Sequence, residues 1–160
     1  MGLSVFPLPA AGKIMKKVTL TSGTSWTVPA GVTDINVLLV GGGGGSTGVT
    51  DTTTAIGGGD GIPGQTIYST LTTTPGQAIS YSIGAGGTAG AAAGSGGSGG
   101  STTFTGATTA NGGAGGQYAQ SGPTGSVSFA NNASVRANSG GGQRSGGAGG
   151  SGWIEIEYWV

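Results

Sequence analysis

The stretch Asp34-Ile35-Asn36-Val37-Leu38-Leu39-Val40 is followed at once by five glycines at 41–45. The first seven residues predict a β-strand, because Ile35, Val37 and Leu39 occupy alternate positions and therefore point to one face. The glycines that follow are typical of neither a helix nor an ordinary strand, since glycine weakens both. A strand that continues directly into a glycine segment is the pattern that decides this fold.

Short strand patterns recur on both sides of that stretch. Alternating side chains predict strands at 18–21, 25–28, 65–71, 77–83 and 153–160. The sequence Thr74-Pro75-Gly76-Gln77 predicts a type II turn, so the strands on either side of it are predicted to pair as a hairpin. Nowhere do apolar residues recur at helical spacing without an interrupting glycine. We predict an all-β protein without an α-helix, in which short strands form a sandwich-like framework.

Glycine occupies 40 of the 160 positions and recurs at every third residue in several segments. A period of three matches the polyproline-II conformation, which has three residues per turn and no internal hydrogen bonds. We predict polyglycine-II helices that bond laterally to one another, because buried amides need partners. Flexible glycine-serine linkers are the alternative. The period-three sets are Gly58, Gly61 and Gly64; Gly84, Gly87 and Gly90; Gly94, Gly97 and Gly100; and Gly146, Gly149 and Gly152.

The composition argues against several classes of function. The chain has five basic and five acidic residues, and it contains neither cysteine nor histidine. A neutral chain lacks the cationic surface that nucleic-acid binding needs, so no nucleic-acid partner is expected. Thiol nucleophiles and the most common general base are missing, so we expect no enzymatic activity, cofactor or metal site. No apolar stretch is long enough to span a bilayer, so no membrane insertion is expected.

Two motifs that can carry chemistry occur in unfavourable settings. Gly43, Gly45 and Gly48 match a dinucleotide-binding fingerprint after a predicted strand, but no helix pattern follows to hold the pyrophosphate. Glu155 and Glu157 lie two apart on a predicted strand, and paired carboxylates occur in glycoside hydrolases. On a strand of this kind they are more typical of a solvated face. We assign no catalytic residue.

Several pieces of the sequence occur in a characteristic order. They are 25–33 (Ser-Trp-Thr-Val-Pro-Ala-Gly-Val-Thr) before the strand and glycines of 34–45, the stretch 74–87, the stretch 99–104 and the ending 149–158. This order resembles the glycine-rich domains of bacteriophage tail-fibre and tail-tip adhesin proteins, over most of the chain from residue 18 onward. The resemblance implies a β-framework joined to a polyglycine-II bundle. It also implies that loops between the glycine helices contact the receptor on the bacterial surface.

The N-terminal part differs from the rest of the chain. We predict a docking arm at residues 1–17 and a single glycine-rich β/polyglycine-II domain at residues 18–160. Prolines disfavour a helix in the arm, and its apolar side chains need a surface that buries them. We expect the arm to dock on another virion protein, of the tail or the capsid; a frayed terminus is the alternative. The predicted docking residues are Val5, Phe6, Leu8 and Ile14.

Residues 117–139 form the one long segment without glycine runs. Aromatic rings, amides and an arginine suit recognition at a surface, so this segment is predicted to bind a host-surface glycan or an outer-membrane protein. The alternative is that Phe129 and Val127 form a small core strand. The predicted receptor-binding residues are Tyr118, Phe129, Asn131, Asn132 and Arg136.

These observations favour a non-enzymatic phage virion structural protein on the exterior of the particle. The first interpretation is a tail-fibre or tail-tip component that binds the host-cell surface. The second is a capsid decoration or head-fibre protein anchored by its N-terminal arm. A third, an ice- or surface-binding protein, needs a periodic threonine array, whereas Thr52, Thr53 and Thr54 are consecutive. We expect a homo-oligomer, with a trimer as the expected form.

Overall fold

The computed structural model describes residues 12–48, 59–92, 94–117 and 147–160. Seven strands form two antiparallel sheets, and the described residues contain no helix, which confirms the all-β prediction. The strands are β1 (Met15–Leu20), β2 (Ser25–Thr27), β3 (Asp34–Val40), β4 (Thr66–Thr72), β5 (Ala78–Ser82), β6 (Thr103–Phe104) and β7 (Trp153–Trp159).

The two sheets pack face to face around a small apolar core. The larger sheet has the strand order β1-β7-β3-β4 and the smaller one β2-β5-β6. Alternation along β3 and β7 buries one side of each strand, as the sequence predicts. The core cluster consists of Val28, Val32, Ile35, Val37, Leu39, Ile79, Tyr81, Phe104, Ala110, Ile154 and Ile156.

Trp26 packs along the side of this core. Its ring centroid lies 5.9 Å from that of Tyr158 on the larger sheet and 6.4 Å from that of Phe104 on the smaller one. Both ring pairs are tilted, a geometry that aromatic pairs favour. The indole therefore links the two sheets near one edge of the sandwich.

The predicted hairpin across residues 74–77 is wrong, although the predicted turn is present. The amide of Gln77 donates to the carbonyl of Thr74 at 3.0 Å, and Gly76 has a φ of 81°, as a type II turn requires. The strands on either side belong to different sheets, because β4 pairs with β3 and β5 pairs with β2 and β6. The turn carries the chain across the core, so both strands bury apolar side chains against the opposite sheet.

Glycine-rich segments continue from the ends of the strands and form what we call the glycine bundle. Segment 41–48 follows β3 and is buried over its whole length, so we call it the central segment. Its hydrogen bonds to the other segments recur every three residues. The bundle consists of segments 41–48, 59–65, 84–91, 94–101, 111–117 and 147–152.

The amides of the central segment point to three neighbours in turn. Gly41, Gly44 and Thr47 donate to carbonyls at residues 65, 62 and 59, whereas Gly42, Gly45 and Gly48 donate to those at 100, 97 and 94. The remaining two amides, of residues 43 and 46, donate to the carbonyls of residues 150 and 147. All three neighbours run antiparallel to the central segment. Such a step of three is the geometry of polyglycine II, so this prediction is confirmed.

Two further segments donate amides to the central segment and run parallel to it. The amides of residues 87 and 90 bond to the carbonyls of residues 43 and 46, and those of 113 and 116 bond to 42 and 45. Bonds also link adjacent outer segments, so five segments surround the central one in the order 59–65, 111–117, 94–101, 84–91 and 147–152. Their directions alternate around it. Among the described residues, peptide groups are thus the main contacts inside this half of the protein.

Close backbone packing explains the period of three in segments 59–65, 84–91 and 147–152. In segment 94–101, the glycines whose added Cβ would overlap a neighbouring carbonyl are Gly96 and Gly99, and not the predicted Gly94, Gly97 and Gly100. A Cβ atom added at Gly61, Gly64, Gly87 or Gly149 would overlap the carbonyl oxygen of a neighbouring segment. The two positions between Gly61 and Gly64 accept the side chains of Ile62 and Pro63, whereas Gly86, next to Gly87, is itself in close contact with the backbone of Gly149. The flexible-linker alternative does not fit these hydrogen-bonded segments.

Thr102 joins the sandwich to the bundle. Its side chain is completely buried, and its hydroxyl donates to the carbonyl of Val40 at 2.7 Å. The same hydroxyl accepts a hydrogen bond from the amide of Gly84 at 3.0 Å. One side chain therefore pairs polar backbone groups of two different segments at the point where strands become glycine helices.

Candidate functional site

The sandwich and the glycine bundle lie end to end, so the molecule has two distinct ends. We call the end of the larger sheet that is remote from the bundle the base, and the end of the bundle that is remote from the sheets the distal end. A seven-residue strand is about 23 Å long. An eight-residue polyglycine-II segment adds about 25 Å. The two ends are therefore about 50 Å apart.

The base carries exposed apolar side chains on both faces of the larger sheet, because neighbouring residues of a strand point to opposite faces. Ile14 pairs with Val160 through two backbone hydrogen bonds of 2.7 and 3.0 Å, which extends the β1–β7 pairing by one residue. Met15 and Trp159 are register partners next to them. The four side chains are 62% (Ile14), 49% (Met15), 37% (Trp159) and 43% (Val160) exposed. Four of the six large apolar side chains that are exposed in the described residues lie at this end.

The predicted docking residues are only partly described. Ile14 is exposed at the base, as a docking residue should be, whereas Val5, Phe6 and Leu8 lie outside the described residues. Strand β1 begins at Met15, so the last residues of the predicted arm 1–17 belong to the sheet. Met15, Trp159 and Val160 are also exposed at the base, although they were not among the predicted docking residues. The alternation of residues 153–160 predicted a strand, but the sequence did not show that this strand pairs with β1.

The distal end is where the chain passes between segments of the bundle. Gly48 and Gly59 border residues 49–58, and Gln117 and Gly147 border residues 118–146. Hydrogen bonds hold these borders together, because Thr47 donates to Gly59 and Ser46 to Gly147. The predicted receptor-binding residues Tyr118, Phe129, Asn131, Asn132 and Arg136 lie outside the described residues.

An ionic cluster lies on the outer face of the larger sheet. Lys17 Nζ is 2.8 Å from Glu155 Oε1 and 2.9 Å from Glu157 Oε1. Hydrogen bonds to Glu155 and then to Glu157 raise the pKa of the Lys17 ammonium above its ordinary value of 10.5. The two glutamates that the sequence offers as a catalytic pair are thus held by a lysine on the neighbouring strand.

The outer faces of the two sheets have different compositions. In the smaller sheet the outward side chains are short and polar or methyl, namely Ser25, Thr27, Ala78, Ser80, Ser82 and Thr103. In the larger sheet the corresponding face carries large side chains around the middle of β3, namely Asn36, Leu38, Tyr68, Thr70, Trp153 and Glu155.

The remaining motifs do not form a reactive site in the part of the chain described. Gly43, Gly45 and Gly48 lie in the buried central segment, bonded to other segments, and not at the start of a helix. A shallow groove of about 410 Å³ at the joint between sandwich and bundle is lined by Thr21, Ser22, Gly23, Thr24, Ser82, Ile83, Gly84, Ala85 and Ser151. The described residues contain no group of three potential metal-binding side chains among His, Cys, Asp and Glu. They also contain no helix that could cross a membrane.

The family model of the glycine-rich domain matches residues 19–158, which extend from β1 to β7 and include the whole bundle. The chain belongs to this family. No curated protein matches the chain. The match to the glycine-rich domain begins after Ile14 and Met15 and ends before Trp159 and Val160. The exposed apolar residues at the base of this glycine-rich domain therefore lie just outside the residues that the family model matches. Most of the β-framework and the whole bundle lie within them.

Proposed function

We propose that this glycine-rich domain is a non-enzymatic structural protein on the exterior of a phage particle, where it contributes to a tail fibre or tail tip. In this proposal the base binds the particle and the distal end faces the host cell. The observation that carries the proposal is the placement of exposed apolar side chains and of the connections between bundle segments at opposite ends.

The apolar base supports attachment to another protein. Exposed apolar side chains are normally scattered, and a contiguous group of them is typical of an interaction site. Ile14, Met15, Trp159 and Val160 lie at one end of the β1–β7 pair, and residues 1–11, which include Val5, Phe6 and Leu8, precede it in the sequence. Residues 1–17 and the base together form the surface that we propose for docking on a tail or capsid protein.

The glycine bundle supports a role as a stiff spacer. Each buried segment is held by backbone hydrogen bonds on several sides, and close contact leaves little room for movement between segments. A connection at the distal end can change in length or sequence and leave these bonds in place, because most of them join backbone groups. The arrangement suits a surface that has to vary while its support stays constant.

The distal connections are the proposed receptor-binding part. Residues 118–146 form the longest of them and include Tyr118, Phe129 and Arg136. Aromatic and arginine side chains dominate the energetics of many interfaces. We propose that they bind a host-surface glycan or outer-membrane protein and that the protein acts as a homotrimer, which places three distal ends side by side.

A direct test measures adsorption of the phage that encodes the protein. The purified full chain is expected to bind host cells and to slow adsorption. The double variant Tyr118→Ala and Arg136→Ala should do neither, with its Tm unchanged. A matched control is Thr103→Ala, on the outer face of the smaller sheet. If the folded wild-type chain neither binds cells nor competes with the phage, the receptor-binding role is wrong.

The second candidate is a capsid decoration or head-fibre protein anchored by residues 1–17. The exposed Ile14 and Met15 support it equally, because exposed apolar side chains do not specify which partner would cover them. Quantitative mass spectrometry of purified particles separates the two. A tail component is present in a few copies per particle, whereas a decoration protein follows the copy number of the major capsid protein. Absence from the particle would refute both.

A further inference from the structure

The outer face of the larger sheet is unusual for a solvent-facing sheet surface. We call the part of it formed by Asn36, Leu38, Tyr68, Thr70, Trp153 and Glu155 the aromatic face. The outer face of the smaller sheet provides an internal comparison, because it contains only serine, threonine and alanine. The same protein therefore has one ordinary solvated sheet face and one whose aromatic face carries two rings and a leucine.

The register of the strands fixes the arrangement of the apolar groups. Leu38 is the cross-strand partner of Tyr68 on one side and of Glu155 on the other. Trp153 lies on the strand beyond, two residues along. Strand spacing and rise place its Cα about 12 Å from that of Tyr68. Tyr68 is 53% exposed, so its ring is available to a ligand. The rings and Leu38 form an apolar strip that crosses three strands.

The polar groups beside this strip are held in place by other side chains. The Thr70 hydroxyl donates to Asn36 Oδ1 at 2.9 Å. Among the described residues no acceptor is bonded to the Asn36 side-chain nitrogen, which remains available as a donor. Glu155 is held by Lys17 through one oxygen, so its second oxygen can accept a further hydrogen bond. The face thus offers fixed donors and acceptors next to aromatic rings.

The charge on the face selects against ionic ligands. Lys17 lies between Glu155 and Glu157, so the three side chains together carry only one net negative charge. The remaining negative charge repels a polyanion. A compact cation has to compete with Lys17, which is already paired with the carboxylates of Glu155 and Glu157. The complementary ligand is uncharged, with hydroxyl groups for the polar side chains and C–H faces for the rings.

We propose that the aromatic face binds a neutral polysaccharide or oligosaccharide, with Tyr68 as its main stacking residue. The inference rests on the proposed function for its setting and deepens it, because it names the ligand class and a second binding surface. Sugar rings stack their C–H faces on Tyr68 and Trp153 and hydrogen-bond to Asn36, Thr70 and Glu155. The Cα atoms of Tyr68 and Trp153 are about 12 Å apart, which exceeds the width of one sugar ring, so a chain of sugars is preferred to a monosaccharide.

The test uses the labelled full chain on an array that carries neutral oligosaccharides of bacterial and plant origin beside acidic ones. Wild type is expected to bind neutral members, and titration with the best of them gives Kd. Tyr68→Ala should weaken that binding about tenfold or more, as loss of a central aromatic contact does. Tyr68→Phe should retain most of it, because the ring remains.

Ile62→Ala is the matched control, because Ile62 is similarly exposed at 55% but lies in the bundle. It should bind like wild type. Binding to no neutral member, binding to acidic members only, or unchanged binding by Tyr68→Ala would overturn the inference. Each variant is checked for an unchanged Tm.

The outcome is separable from that of the proposed function. A protein that is present in phage particles but binds no glycan overturns this inference alone. A protein that binds glycans through Tyr68 but is absent from particles overturns the virion role alone.

Discussion

Substitution of Gly44 by alanine tests the backbone packing of the bundle most directly. Gly44 lies in the central segment, and a Cβ atom added there would overlap the carbonyl of Ala114. The added Cβ atom would lie much closer than 3.0 Å to this carbonyl, and real Cβ atoms essentially never approach a neighbouring atom that closely. The obstructing atoms belong to the backbone. No side-chain rotation relieves it. Segment 111–117 therefore has to move away from the central segment.

The magnitude follows from the hydrogen bonds that this movement breaks. Gly113 donates to the carbonyl of Gly42 and Gly116 to that of Gly45, both at 2.8 Å. The carbonyls of Gly42 and Gly45 stay buried when segment 111–117 moves outward, and each costs about 1–3 kcal/mol without its partner, so Gly44→Ala should cost about 2–6 kcal/mol. A domain of this size loses about 2–4 °C of Tm per kcal/mol. The expected decrease in Tm is about 5–20 °C.

Thermal and urea unfolding of the purified full chain measure the effect. Gly94→Ala is the matched control, since the nearest backbone atom to its added Cβ is 3.1 Å away at a turn, and its Tm should decrease much less. A flexible linker gives the opposite sign, because Gly→Ala there stabilises by about 0.4–1 kcal/mol through the unfolded state. An unchanged or increased Tm for Gly44→Ala would refute the packing described above.

Three further predictions concern other parts of the fold. Gly76→Ala should lower the free energy of unfolding by about 1 kcal/mol, because φ is 81° there although space is open, and Gly76→Asn should lower it less; a neutral Gly76→Ala in urea unfolding would contradict the turn geometry. Thr102→Val should cost about 2–5 kcal/mol by leaving the Val40 carbonyl and the Gly84 amide unpaired, while Thr102→Ser keeps most stability; equal losses in both variants would show that the hydroxyl is unimportant. The Lys17 ion pairs stabilise the fold below pH 10.5, the ordinary pKa, and the benefit is lost as pH rises through the raised folded pKa. The small Tm difference between wild type and Lys17→Gln should therefore vanish in strongly alkaline buffer, and a difference that grows there would have the wrong sign.

The strands were predictable where alternation was strong. Ile35, Val37 and Leu39 specify both the element and its buried face, because side chains alternate across a strand. The sequence Thr74-Pro75-Gly76-Gln77 did not show that β4 and β5 belong to different sheets. A type II turn fixes the direction change over four residues, but a hairpin and a crossing between sheets both accommodate it. The difference depends on contacts that β4 and β5 make with strands far away in the sequence.

The glycine segments were also predictable only in part. Their period of three was readable, because close backbone contact excludes every side chain at the facing positions. The arrangement of the segments in the bundle was not readable, because every segment presents the same amides and carbonyls and can in principle bond to any other. The candidate surfaces were missed for a related reason. Ile14 reaches Val160, and Leu38 reaches Tyr68 and Glu155, only through strand register, which local sequence does not specify.

The position of the central segment has a consequence for biosynthesis. Residues 41–48 leave the ribosome before all five segments that surround them, and their last partners are at 147–150. Strand β7, which lies between β1 and β3, also comes from the end of the chain. A chain interrupted before residue 147 lacks both, so β1 has no neighbouring strand and the amides of residues 43 and 46 have no acceptor. Folding is therefore expected to follow completion of synthesis, in one slow step dominated by contacts distant in sequence. We therefore expect only full-length chains to resist proteases.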